Sequence, residues 1–354
     1  MLETKKTTFF TDQAILERYY KHISLVVFLA LYSVVCNAQG NFQFLGYAQL
    51  TAEYFDSDDK LNLDADRIRL SGIYSIEKFS TRLMLDLNAG DLNDRPPGTL
   101  ANVIKDLWVG YQINMNHELK VGQFKTPIGL DFNLPAQSLL ITKRGMEKGL
   151  VFERDLGVMI SGRRLAEGFG YDLGIFNIAG RSAATQYTDD QAGDAYAWTA
   201  RVMVDSGPWH GEVSYGLSEE AGGLDSNNYS VFDIAGSFKH GPWTLTLEWI
   251  DGSDVRGIKN RNERVAYAHL GYRFTPRLEF VTRYYDGESK LDGQTTRLSN
   301  TYIGGNIHLL KHKNYEGRLQ INYMLAGGNE SIYTGVSGFR SDAFLIQFQW
   351  LVRN

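Results

Sequence analysis

Two groups of basic residues in this chain are placed so that they could act together on a small anion. The first lies in a stretch of about thirty residues without clean strand alternation, where Lys125, Lys143, Arg144, Lys148 and Arg154 stand against Asp131, Glu147 and Glu153. The second is Arg67 and Arg69, with Arg82 soon after. At a spacing of two, Arg67 and Arg69 share one face of an extended strand. Guanidinium groups take carboxylate or phosphate oxygens in pairs of charge-assisted hydrogen bonds. Rings of Arg or Lys around an aqueous path favour anions. Lys125, Lys143 and Arg144 are the candidates for a constriction, and Arg67, Arg69 and Arg82 for guides along a wall.

Other chemistries find less support. The seven histidines (His22, His117, His210, His240, His269, His308 and His312) stand singly, and none is paired with a serine as a general base would be. No closely spaced set of His, Asp and Glu suggests zinc. The run Gly122 to Gly129 lacks the Gly-Lys-Ser/Thr ending of a nucleotide-phosphate loop. No cofactor is expected. The net charge of −5 gives no basic excess that would point to nucleic acid.

The elements that must carry these side chains are strands. Phe42, Phe44, Gly46, Ala48, Leu50, Ala52 and Tyr54 fall on one face of the first; Gln43, Tyr47, Gln49, Thr51 and Glu53 fall on the other. Similar alternation predicts about sixteen strands. After the first they are Arg67 to Ser75, Phe79 to Asn88, Asn102 to Ile113, Glu118 to Lys125, Gly157 to Arg163, Phe169 to Asn177, Ala195 to Val204 and Trp209 to Leu217. The remainder are Val231 to Lys239, Trp243 to Ile250, Arg264 to Phe274, Arg277 to Tyr285, Thr301 to Leu309, Tyr315 to Met324 and Ala343 to Val352. Short breaks (Ser206-Gly207-Pro208, His240-Gly241-Pro242, Thr275-Pro276) alternate with long ones. The long ones are Gly90 to Leu100, Gly180 to Gly193, Ser218 to Asn228, Gly252 to Asn262, Gly287 to Asn300 and Gly327 to Ser341.

Open edges are not tolerated in hydrocarbon, so such strands must close into a transmembrane antiparallel β-barrel. A soluble β-sandwich or small barrel also alternates, with its apolar face inward. The membrane reading rests on aromatic residues at strand ends, on a strand count too large for one filled core, and on the leader. Ile23 to Val35 is apolar, follows Lys21 and His22, and is too short to span a bilayer as a helix. It reads as a secretory signal with cleavage after Ala38. Residues 1–38 are therefore assigned to an N-terminal extension and signal peptide, and 39–354 to one barrel. A lipoprotein site at Cys36 is the weaker alternative, since Val35 precedes it. Cys36 is the only cysteine, so the mature chain can form no disulfide framework. Without the four cations and three acids of residues 1–38, its net charge is −6.

Gly122-Gln123-Phe124-Lys125-Thr126-Pro127-Ile128-Gly129-Leu130, Ile141-Thr142 and Arg154-Asp155-Leu156-Gly157-Val158 resemble the phosphate-selective porin O and P family. Arg67 to Gly72 and Asp106 to Tyr111 are similar to its second and fourth strands. The resemblance implies a sixteen-stranded, usually trimeric porin in the Gram-negative outer membrane. Its third external loop would fold into the lumen and line the constriction, with Lys125 at the lip. It would pass small hydrophilic solutes passively, plausibly anions such as phosphate. Two features depart from the family pattern: the mature chain is acidic, and Arg353 and Asn354 follow the terminal aromatic strand.

Alternation places cations from Arg67 to Arg318 inward, nearly balanced by carboxylates from Glu53 to Glu316. An arginine ladder and a neutral wall of salt bridges are both open at this point. So are a general porin, a non-conducting structural or adhesive barrel, and an organic-solute porin with Tyr47, Trp108, Tyr285 and Tyr302 as a slide.

Overall fold

The computed structural model describes residues 40–57, 59–89, 100, 102–165, 168–177, 195–220, 227–328 and 339–354. The extension and signal peptide assigned to 1–38 lie outside the described residues, as does most of four of the long connections.

Sixteen antiparallel strands are described, and they close on themselves. They are β1 (Asn41–Phe55), β2 (Lys60–Ile76), β3 (Phe79–Asp86), β4 (Ile104–Gln112), β5 (His117–Lys125), β6 (Arg154–Gly162), β7 (Phe169–Phe176) and β8 (Ala197–Ser206). β9 (Trp209–Ser218), β10 (Tyr229–His240), β11 (Trp243–Ser253), β12 (Asn262–Arg273), β13 (Leu278–Leu291), β14 (Gln294–Lys311), β15 (Tyr315–Gly328) and β16 (Ala343–Arg353) follow. Each strand pairs with its sequence neighbours, and β1 pairs with β16 from Leu45↔Arg353 to Phe55↔Ala343. The terminal departure takes part in this closure. The Asn354 side chain accepts from Phe44 N at 2.7 Å and donates to Phe42 O at 3.1 Å, so it extends the seam.

Burial settles which face is which. Leu50, Val121, Leu173, Trp198, Leu247 and Trp350 are exposed on the outside, whereas Gln49, Thr51, Glu53, Asp172, Glu248 and Gln349 are buried inside. A soluble barrel would show the reverse. At the short-turn end, outward aromatics pack in pairs: Trp209 with Phe238 and Trp243 with Tyr272, both with ring centroids 4.5 Å apart. Aromatic girdles of this kind mark the interfaces of an outer-membrane barrel.

One connection differs from expectation. Gly287 to Asn300 is not a long loop. Strands β13 and β14 run on to a two-residue turn at Asp292-Gly293, both with positive φ. Asp-Gly is the preferred pair for such a hairpin. Its charged residues neutralise one another: Glu288 meets Lys290 on its own strand and Arg297 on β14, each at 3.0 Å, and Arg264 on β12 at 3.2 Å.

The outward face predicts its own sensitivity. Leu247→Arg puts a charge on the lipid side of mid-strand β11, at a cost of about 2–4 kcal/mol near the bilayer midplane. Folding titrations into lipid vesicles are expected to show that loss; an unchanged midpoint would place this face away from lipid.

Candidate functional site

The chain leaves β5 at Lys125 and returns in β6 at Arg154. Between them, residues 126–153 turn into the barrel and form a short helix α1 (Leu130–Asn133) and two 3-10 turns (Ala136–Ser138 and Met146–Gly149). Both sides of this inserted loop are specified by sequence.

Its apolar side (Ile128, Phe132, Ile141, Met146, Leu150 and Phe152) is buried against Tyr229, Ile250, Val265, Val281, Tyr285 and Tyr302 of the wall. Close approach requires missing side chains. A Cβ on Gly145 would collide with the Tyr285 ring, and one on Gly216 would collide with Ile128 and Phe152.

Polar contacts fix the register of the loop. Asp131 accepts from Arg283 Nη1 at 2.9 Å, and its backbone N–H donates to Glu248 Oε2 at 3.0 Å. Thr142 N donates to Asn322 Oδ1 at 3.0 Å. Loop carbonyls accept from Asn306, Gln320, Arg318 and Gln349 at 3.0–3.1 Å. These partners lie on β11 and β13 to β16, so the loop docks mainly against that side of the lumen, and Gln49 of β1 donates to its Ala136 carbonyl at 3.4 Å.

The other half stays open. A cavity of about 1110 Å³ runs along the wall from β1 to β8, bounded by the loop residues Pro127, Asn133, Pro135, Ala136 and Gln137. It is lined by eight cations (Arg69, Arg82, Lys120, Lys125, Arg154, Arg163, Arg164 and Arg201) against three carboxylates (Asp106, Glu118 and Asp205). Asp86, Asp172 and Glu212 stand behind these cations as ion-pair partners and still leave an excess of positive charge.

The candidate residues occupy different positions. Arg69 pairs with Asp86 at 2.8 Å, and Arg82 and Arg154 share Asp106 at 3.3 Å and 2.8 Å. Arg67 donates to Gln49 Oε1 at 2.8 Å and has no carboxylate within 4.0 Å among the described residues. Lys125 and Arg144 converge on the end of α1, where both donate to the carbonyls of Phe132 and Leu134. Arg144 also lies 3.7 Å from Asp131. Lys125 has no carboxylate within 4.0 Å among the described residues. Lys143 points elsewhere and is ion-paired with Glu53 and with Asp66, the latter at 3.5 Å. It ties the loop to β1 and β2.

Tyr285 and Tyr302 are sealed beneath the loop with no exposure, so they form no slide; Tyr47 and Trp108 do line the cavity. His210 sits between Asp205 at 2.7 Å and Glu212 at 3.1 Å. Among the described residues, no group of His, Cys, Asp and Glu is arranged to hold a metal ion.

A family model described as phosphate-selective porin O and P matches residues 37–290. The chain belongs to the phosphate-selective porin O and P family. It is an outer-membrane porin, and solved porins share its architecture. In-vitro folded OmpT of Vibrio cholerae is 11% identical over 90% of this chain and 98% of its own, with a TM-score of 0.60. An anion-selective porin from Comamonas acidovorans is 11% identical over 89% and 100%, with a TM-score of 0.61. OmpF of Salmonella typhi, solved in complex with daunomycin, is 9% identical over 88% and 97%, with a TM-score of 0.64. No curated sequence matches the chain.

The sequence reading missed the dock beneath the inserted loop. The signal was present: Val231, Ile250, Val265 and Leu345 are apolar at inward positions near the long-loop end, and Val281 is apolar and inward lower on β13.

Two predictions concern this porin's loop. Asp131→Asn leaves Arg283 buried without a carboxylate, which costs on the order of 3–5 kcal/mol. Denaturant unfolding in detergent should show the loss, and single-channel conductance should rise as the loop loosens. Unchanged values for both would mean that this pair does not hold the loop.

Glu147 is also buried in the loop. Burial, then proximity to Asp131, pushes its carboxyl up to about 7. Its folded value exceeds its unfolded value. The docked loop is therefore tightest below the ordinary glutamate range and weakens as pH rises toward 7. Protease nicking of the loop should be faster at pH 8 than at pH 5, and Glu147→Gln should flatten that difference. Equal slopes in the two proteins would remove Glu147 as the cause.

Proposed function

We propose that this porin passes small hydrophilic solutes down their gradients with a preference for anions, phosphate among them. The carrying observation is the positive excess along the open half of the lumen, eight cations against three carboxylates at the cavity surface. Charge at the narrowest part of an aqueous pore sets which ions enter it. Lys125 and Arg144, held together at the end of α1, supply the constriction's charge in this reading. Arg69 and Arg82 supply the wall. Arg67 lies beside them on β2, and Lys143 serves to anchor the loop.

The pairing of Arg69, Arg82 and Arg154 with carboxylates favours a second reading, a general pore without phosphate selectivity. A paired guanidinium still contributes field but has fewer free donors for a phosphate. We also propose a homotrimer, since the trimer form of OmpT of Vibrio cholerae is among the barrels of similar fold, with 11% identity and a TM-score of 0.62.

Reversal potentials in planar bilayers under a salt gradient test the main reading. Anion preference is expected, and cation preference would overturn it. Lys125→Glu should lower the anion-to-cation permeability ratio roughly two- to tenfold, as expected for reversing one charge near the ion's path in a wet lumen. An unchanged ratio would remove Lys125 from the constriction.

A further inference from the structure

The basic half of the lumen is not a bare field of charge. In three strand pairs a cation stands opposite an aromatic or thioether side chain. Across β1 and β2, Arg69 stands opposite Tyr47 and donates from Nη1 to its hydroxyl oxygen at 3.1 Å. Across β3 and β4, Arg82 stands opposite Trp108. Across β5 and β6, Lys120 stands opposite Met159. The Lys120 ammonium also lies 4.6 Å from the centroid of the Trp108 ring and 5.5 Å from that of Phe124. All of these residues line the same cavity.

This composition is poorly matched to inorganic phosphate alone. Phosphate offers oxygens on every side, and its best partners are guanidiniums with free donors. Here Arg69, Arg82, Arg154, Arg163 and Arg201 already hold carboxylates. Phosphate also has nothing to place against an indole or a thioether. An anion with an apolar body can use both parts of the surface. Its charged group meets Lys125, or Lys120 in exchange for the loose 3.6 Å contact that Lys120 makes with Glu118, and its body lies on Trp108 and Met159, gaining contact that a hydrated inorganic ion cannot.

Resting on the anion preference proposed above, we infer that this wall binds small organic anions with a planar or aliphatic body, aromatic monocarboxylates in particular. It holds them more strongly than acetate or inorganic phosphate. The site is a stepping point on the path rather than a trap, since conduction requires binding weak enough to release.

The test uses the purified full-length protein in planar bilayers, with chloride carrying the current and benzoate, acetate or inorganic phosphate added as blockers. Benzoate is expected to halve the current at a concentration about tenfold below that of acetate or phosphate. Trp108→Ala should reduce the ratio of acetate to benzoate half-block concentrations by at least about threefold, and Trp108→Phe, which keeps a ring, should retain most of it. Phe124→Leu provides a second variant if Trp108→Ala assembles poorly, again with a reduced ratio. Anion preference with equal block by all three probes would overturn this inference and leave the proposed function standing. The same holds for a ratio that no ring substitution changes. Cation preference would overturn the proposed function first, and the inference with it.

Discussion

A strand in hydrocarbon has no water to satisfy its free backbone groups, so the sheet must close. The rest of this architecture follows from that constraint. Closure here takes sixteen strands, and the seam between β1 and β16 is continued by the side chain of Asn354. A barrel of this size is too wide for its own inward side chains to fill, unlike one of eight strands. Something else must set the width of the path. In this chain it is the 126–153 loop, which carries its own small core into the lumen.

That core explains why the path is off-centre. The loop's apolar side needs an apolar partner, and the wall provides most of it on β10 to β16, with a smaller patch of Tyr47 and Leu351 taking Ala136 and Leu139. The loop therefore lies mainly to one side and leaves a cavity against the β1 to β8 wall. It also separates the charges. Glu248 receives the Asp131 backbone N–H beneath the loop, and Arg283 is spent on the Asp131 carboxylate, so neither faces the open path. The inward charges nearly cancel when counted along the sequence, yet the cavity wall is distinctly basic. A sum over all strands hides this because it weighs covered and open positions equally.

How much was readable in advance depended on whether the signal was local. Each of the sixteen strands could be placed from two-residue alternation, and the Gly-Pro breaks at 207–208 and 241–242 fell between consecutive strands as expected. The Asp292-Gly293 hairpin lay inside the span expected as a long break, because where the turn falls is fixed by the pairing of β13 with β14, which alternation along one strand does not give. The direction of the apolar face was argued from girdle aromatics, and the outward Trp209–Phe238 and Trp243–Tyr272 pairs supply the structural counterpart. The site was only half legible. Lys125, Lys143 and Arg144 could be chosen by position and charge, but their directions depend on where the loop docks. That in turn depends on contacts from residues far apart in sequence, such as Arg283 with Asp131.

The arginine pairing bears on how such a wall could work. A free guanidinium facing a passing anion would bind it tightly and slow its exit, whereas a paired one is held rigid and contributes only part of its field. Arg82 and Arg154 share one carboxylate, Asp106, so that small cluster keeps a residual positive charge without an unpaired guanidinium. Lys125 is arranged differently, since its ammonium is held by the carbonyls of Phe132 and Leu134. Carbonyl dipoles fix its position without cancelling its charge. Lys125 is thus held where the chain leaves β5 for the loop, with the paired arginines Arg69, Arg82 and Arg154 around the same cavity. In the anion-preferring pore proposed above, such an arrangement would draw anions in without holding them, and it follows from the same loop that narrows the barrel.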